Sequence, residues 1–95
     1  MSELSPASRP RLANKARLKW DRHANKHMLL YPEHGLLLND SAAAILQLCD
    51  GQATIAHIAQ TLAEKTGGAP SKVEADVLAF VATMLERGLV ALGEP

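Results

Sequence analysis

Aromatic side chains are scarce in this chain: one Trp, one Tyr and one Phe make up 3% of 95 residues. Apolar residues still reach 47%, so the core must be built from aliphatic and Ala-rich packing. Cysteine is nearly absent as well. A single thiol, Cys49, excludes an internal disulfide and fits a reducing compartment. No apolar run approaches the roughly 20 residues that cross a bilayer. The N-terminal MSELSPASRPRL lacks the apolar centre of a secretion signal. The expectation is a cytoplasmic protein that does not enter a membrane. At this length it forms one domain with one modest core.

The groups that carry catalysis are missing too. There is no Gly-rich phosphate loop, no G-x-S-x-G and no H-E-x-x-H. His23 and His27 are four apart, but in a segment where a helix is not expected, so the spacing is no metal signal. Cys49 falls on the apolar side of a predicted helix and reads as a small core residue. His57, between Ile55 and Ile58, reads as a surface or boundary position. The reading is a non-enzyme with no catalytic residue, no metal and no cofactor.

What the chain does have is an uneven charge distribution. Residues 1–27 carry Arg9, Arg11, Lys15, Arg17, Lys19, Arg22 and Lys26 against Glu3 and Asp21, while the remainder is acidic and the whole is neutral. Such asymmetry suits a polar partner or self-association between unlike ends, and equally a solvated strand face.

Residues 1–11 have no apolar period and read as a mobile arm, leaving 12–95 as the folded unit. ARLKWD then alternates: Ala16, Leu18 and Trp20 on one face, Arg17, Lys19 and Asp21 on the other. Trp20, in phase with Leu18, reads as a core anchor. HMLLY is a second apolar run, PEHG a turn and GLLL a third run, giving a three-stranded antiparallel meander.

Helices follow. Asn39 or Asp40 can cap SAAAILQLC, with Gly51 as its stop. Thr54 caps the next, where Ile55, Ile58, Ala59 and Leu62 form one apolar stripe. Ser71 and Glu74 have capping-box spacing for a third helix that runs to about Arg87 and stops at Gly88. On it Val73, Val77, Phe80 and Met84 form the predicted core line, with Leu78, Val81 and Leu85 on a shoulder. The shoulder is either a second internal contact or a binding wall. LVAL suits a short C-terminal strand. The predicted class is α+β, with the second and third helices arranged as a winged helix-turn-helix. That order makes nucleic-acid binding the alternative function. Glu74, Asp76 and Glu86 on the would-be reading helix oppose it, because a phosphate backbone calls for clustered cations.

YPEHGLLLND poses a separate problem. Leu36, Leu37 and Leu38 run unbroken, although alternate strand residues point to opposite faces. One face can pack on the core, and the other needs a cover. Either a peptide adds to this edge, or Leu37 packs under the basic arm or a second subunit.

The strings RLKWDRH, LLYPEHGLLLNDSAAAILQLCDG and TIAHIA resemble the PqqD family of pyrroloquinoline quinone (PQQ) biosynthesis, over about residues 9–92. The resemblance implies a peptide chaperone without cofactor or chemistry of its own. Such a protein binds the precursor peptide PqqA and presents it to the radical SAM enzyme PqqE, which joins a Glu and a Tyr side chain of the peptide. It also implies that the peptide adds as a strand beside the third strand and against the third helix. The peptide-binding residues are then Gly35, Leu36, Leu37 and Leu38 on the edge and Leu78, Val81 and Leu85 on the wall. Arg17 and Lys19 would supply electrostatic attraction for the precursor or the enzyme. The same edge can accept a second copy, which leaves a homodimer open.

Overall fold

The computed structural model describes residues 4–32 and 34–93. Among them the order is β1 (Pro10–Leu12), β2 (Arg17–Asp21), β3 (Lys26–Tyr31), β4 (His34–Leu37), α1 (Asp40–Gln47), α2 (Ile55–Thr66), α3 (Pro70–Glu86) and β5 (Val90–Leu92). The class is α+β, as predicted. β2, β3 and β4 form an antiparallel sheet in that order, and β1 pairs with β5 in a separate two-stranded ribbon.

The meander follows from local chemistry. Between β2 and β3 the Asp21 carboxylate accepts the His23 N–H at 2.9 Å, and Asn25 takes a left-handed φ of 57°, which Asn tolerates better than most residues. The β2–β3 register sets Leu18 opposite Leu29 and Lys19 opposite Met28; β3–β4 sets Leu29 opposite Leu36 and Met28 opposite Leu37. Directly opposed residues share a face. Leu18, Leu29 and Leu36 therefore point to the helices, and Leu29 is fully buried. Glu33 of the expected PEHG turn lies outside the described residues.

Asn39, the N-cap of α1, accepts the Ala42 N–H at 2.8 Å. Thr54 caps α2 through the His57 N–H, and Gly67 ends it with a φ of 76°. Ile55, Ile58, Val77, Val81 and Leu46 close the core with Leu29.

Several expectations are corrected. The arm begins to be described at Leu4 and is tied down: Ile55 N–H donates to Ser8 O and Ala56 N–H to Pro6 O, both at 2.9 Å, so arm carbonyls satisfy the first donors of α2. Its last residues form β1, whose partner is at the other end of the chain. Trp20 is 47% exposed and stands edge-on to His27, 5.0 Å between ring centroids, because its row runs past the cover of the helices. The first helix stops at Gln47, and Asp50 instead bridges Arg11. The third starts with Ala69 as N-cap and Pro70 at its first position, and no side chain caps it. Proline has no N–H to satisfy there, so a Ser71 cap is not needed. The buried line of α3 is Val77, Val81 and Met84, while Val73 and Phe80 are only half-buried. At 100° per residue this line is turned by roughly 40° from the predicted one, towards the shoulder. Val81, placed there as a binding wall, is wholly inside.

Candidate functional site

β4 is one of the two free edges of its sheet among the described residues, β2 being the other. Leu38 N–H donates to His27 O at 2.9 Å, which makes Leu38 and His27 a hydrogen-bonded pair. Such pairs alternate along an antiparallel ladder, so His34 and Leu36 also direct their backbone groups at β3. Gly35 and Leu37 direct theirs away from it. The edge therefore offers the N–H and C=O of Gly35 and Leu37 to an added strand. The three leucines divide by the same parity. Leu38 is 4% exposed and sits in the core, Leu36 is half-buried against it, and Leu37 points the other way, 49% exposed.

The wall residues do not stay together. Leu78 and Leu85 lie seven apart on one side of α3 and are half-buried against the core, whereas Val81 belongs to the core itself. Sequence reasoning missed an apolar cleft of about 380 Å³ among the three helices. Ala44, Ile45, Leu62, Val73 and Val77 line it, with Asp40, Lys65 and Asp76 among its charged residues. It starts at the first turn of α1, just past the end of β4. The signal was available in Val73 and Leu62, apolar positions at the margins of their helix stripes. Met28 and Leu30, on the outer face of the sheet with Leu37, were also passed over. Their sign is the unbroken MLL of β3, apolar on both faces.

Arg17 and Lys19 are on that outer face, opposite Leu30 and Met28, but on β2. An added strand would lie three strand spacings from them, about 14 Å. That exceeds the roughly 8–10 Å screening length at ordinary salt, so they act on a bound strand as a weak field rather than as partners.

Other chemical groups serve the fold. Cys49 donates its thiol to Ile45 O at 3.2 Å, and burial, helped by Asp50, pushes it up to about 12, which keeps it protonated at neutral pH. The Asp50 carboxylate accepts the N–H groups of Ala53 and Gln52, which hold its pKa below the usual value and form the turn into α2. His27 is occupied by Trp20 and by Gln47, whose Nε2 is 3.1 Å from His27 Nε2.

Comparison with known proteins places this geometry. The family model of coenzyme PQQ synthesis protein D (PqqD) matches residues 26–90. A "PqqA binding protein" of Azotobacter vinelandii is 41% identical over 92 residues, covering 97% of this chain and 99% of that protein. The bifunctional coenzyme PQQ synthesis protein C/D of Methylorubrum extorquens is also 41% identical, over 78 residues, but this chain spans only 21% of its length. The solution structure of the PqqD part of Methylobacterium extorquens PqqCD, described as a stand-alone recognition element for ribosomally synthesised, modified peptides, superposes with a TM-score of 0.81. It is 38% identical and covers 93% of this chain and 94% of that one. Lasso peptide synthetase B1, solved with its leader peptide, gives 0.75 at 25% identity, covering 87% and 98%. The chain belongs to the PqqD family.

Proposed function

We propose that this chain is the peptide chaperone of PQQ biosynthesis: it binds PqqA as an added strand at β4 and presents it to PqqE. The observation that carries the reading is the open edge at Gly35 and Leu37, with an exposed leucine beside it. The relatives named as PqqA binding proteins and the likeness to a synthetase solved with a leader peptide support it. Leu36, Leu78 and Leu85 line the inner side of the edge and the α3 wall in this reading, Leu38 supports them from the core, and the cleft beyond takes an apolar side chain of the peptide. Each leucine fully covered contributes roughly 1.5–3 kcal/mol. Two or three half-covered ones plus backbone bonds reach a micromolar constant, about −8 kcal/mol, once ordering costs are deducted. The chain itself holds no cofactor and performs no chemistry. It works in the cytoplasm, with the arm from Leu4 onward built into the same recognition unit, and a homodimer through the β4 edge competes with the peptide.

The helical half keeps the order of a winged helix-turn-helix, with β5 as the wing. Nucleic acid is nevertheless the weaker reading. Lys72 on α3 is paired with Asp76 at 3.9 Å, and Glu74 and Glu86 share the helix. Calorimetric titration with synthetic PqqA, and then with PqqE, tests the proposal: saturable binding of the peptide, and of the enzyme to the peptide complex, is expected. A salt-dependent gel shift with short duplex DNA and no peptide binding would reverse the assignment.

A further inference from the structure

The geometry points to a second reading surface for the peptide, on the face of the sheet turned away from the helices. This rests on the strand-addition reading above. Met28, Leu30 and Leu37 are apolar but stand apart from the core, all on the outer face by the register of β2, β3 and β4. The centre of the patch is Gly35. Its φ does not require glycine, and a Cβ there would meet Met28 Sδ at 2.9 Å and Leu30 Cδ2 at 3.4 Å. The missing side chain lets both β3 residues lean across β4 to the free edge, where they form an apolar shelf. Next to it lies an open cleft of about 440 Å³ that runs from Leu30 and Met28 past Lys19 to Asp21 and Arg22.

Backbone parity supplies the occupant. Gly35 and Leu37 are the residues that offer backbone groups to the edge. In an antiparallel addition, the peptide residues directly opposite them exchange both hydrogen bonds and share their face. Their side chains are therefore sent outward, beside Leu37 and over Gly35, onto the Met28–Leu30 shelf. The intervening peptide residues point inward, towards the helices. The peptide is thus read on both faces: one parity by the helices, the other by the shelf. The outer face suits an apolar side chain opposite Gly35; Arg17, Lys19 and Lys26 lie further back, on β2 and β3, and add only a weak positive field. A second copy packed face to face would set those cations against each other, which disfavours it as the occupant.

The test uses the whole chain and synthetic PqqA. Gly35→Val fills the gap at the expense of the flexible ends of Met28 and Leu30. Met28→Ser strips the shelf without touching the edge strand. Both variants should keep the native amide spectrum and bind PqqA at least fivefold more weakly. Alanine substitutions in PqqA that lose their effect in the Met28→Ser background should fall two residues apart, interleaved with those that lose it in Leu78→Ala. If the amides of Gly35 and Leu37 become protected by PqqA while both variants bind like the parent, the shelf is not contacted. The inference then fails and strand addition stands. If those amides gain no protection from bound peptide, strand addition and the shelf fall together.

Discussion

Leu37→Asp separates recognition from folding. The side chain is 49% exposed and outside the core, so an aspartate there removes no core contact. The expected folding cost is within about 1 kcal/mol, the span of strand preferences at such sites. Binding is different. A peptide strand that covers the exposed half of Leu37 gains about half of a full leucine burial, roughly 1 kcal/mol. Aspartate forfeits this gain and leaves a carboxylate facing the shelf without a partner, a further cost of about 1–3 kcal/mol. The sum exceeds 1.4 kcal/mol, so the dissociation constant for PqqA should rise at least tenfold. Leu37→Ala, which loses only the transfer part, should weaken binding by about fivefold. Calorimetry at fixed salt gives the constants, and thermal melts followed by circular dichroism give the stability. Parental affinity in a folded Leu37→Asp variant would refute contact between the peptide and the outer side of this edge; if the Gly35 and Leu37 amides also gain no protection, the placement at the edge falls with it.

Three further outcomes follow from packing and protonation. Val81→Ala should cost about 2–3 kcal/mol of stability in denaturant unfolding, and the half-buried Leu78→Ala clearly less; the reverse order would mean the α3 face is assigned wrongly. Removing residues 1–9 deletes the Ser8 and Pro6 carbonyls that satisfy α2 and the Arg9 carbonyl that accepts Gly93 N–H, so the melting point should fall and the amides of Ile55 and Ala56 should exchange faster; an unchanged melt and exchange would show that the arm carries no stability. Because burial raises the Cys49 pKa in the fold, the stability linked to its proton is complete below the ordinary value of 9.0 and is lost as pH rises towards about 12. The parent should therefore lose stability between pH 9 and 11 relative to Cys49→Ala, and parallel pH curves would contradict that linkage.

Where signals were local, the sequence was readable. Thr54, the Ile55–Ile58–Ala59–Leu62 spacing and Gly67 delimit α2 almost to the residue, because cap, stripe and stop all lie within it. The alternation in ARLKWD likewise set the faces of β2 correctly at Leu18 and Lys19. It failed at Trp20, since alternation tells which side a residue is on and not whether anything covers that side. β1 was invisible for a related reason. PRL has no period of its own and becomes a strand only because β5, about 80 residues later, pairs with it. On α3 nearly every position of a wide arc is apolar, so the sequence could not locate its centre; packing against α2 and β5 chose Val81 over Phe80. At the candidate site, the free edge was legible in GLLL. The outer shelf was not, because it depends on a register that brings Met28 and Leu30 alongside Gly35, which has no side chain.

Amide hydrogen exchange at β4, with and without saturating PqqA, tests the central claim most directly. In the free protein the N–H groups of Gly35 and Leu37 face the open edge, while that of Leu38 is already bonded to His27. If the peptide adds as a strand, exchange at Gly35 and Leu37 should slow markedly on binding, with far smaller changes at Leu36 and Leu38. Saturation proven by calorimetry, with Gly35 and Leu37 still exchanging at their free rates, would contradict the account.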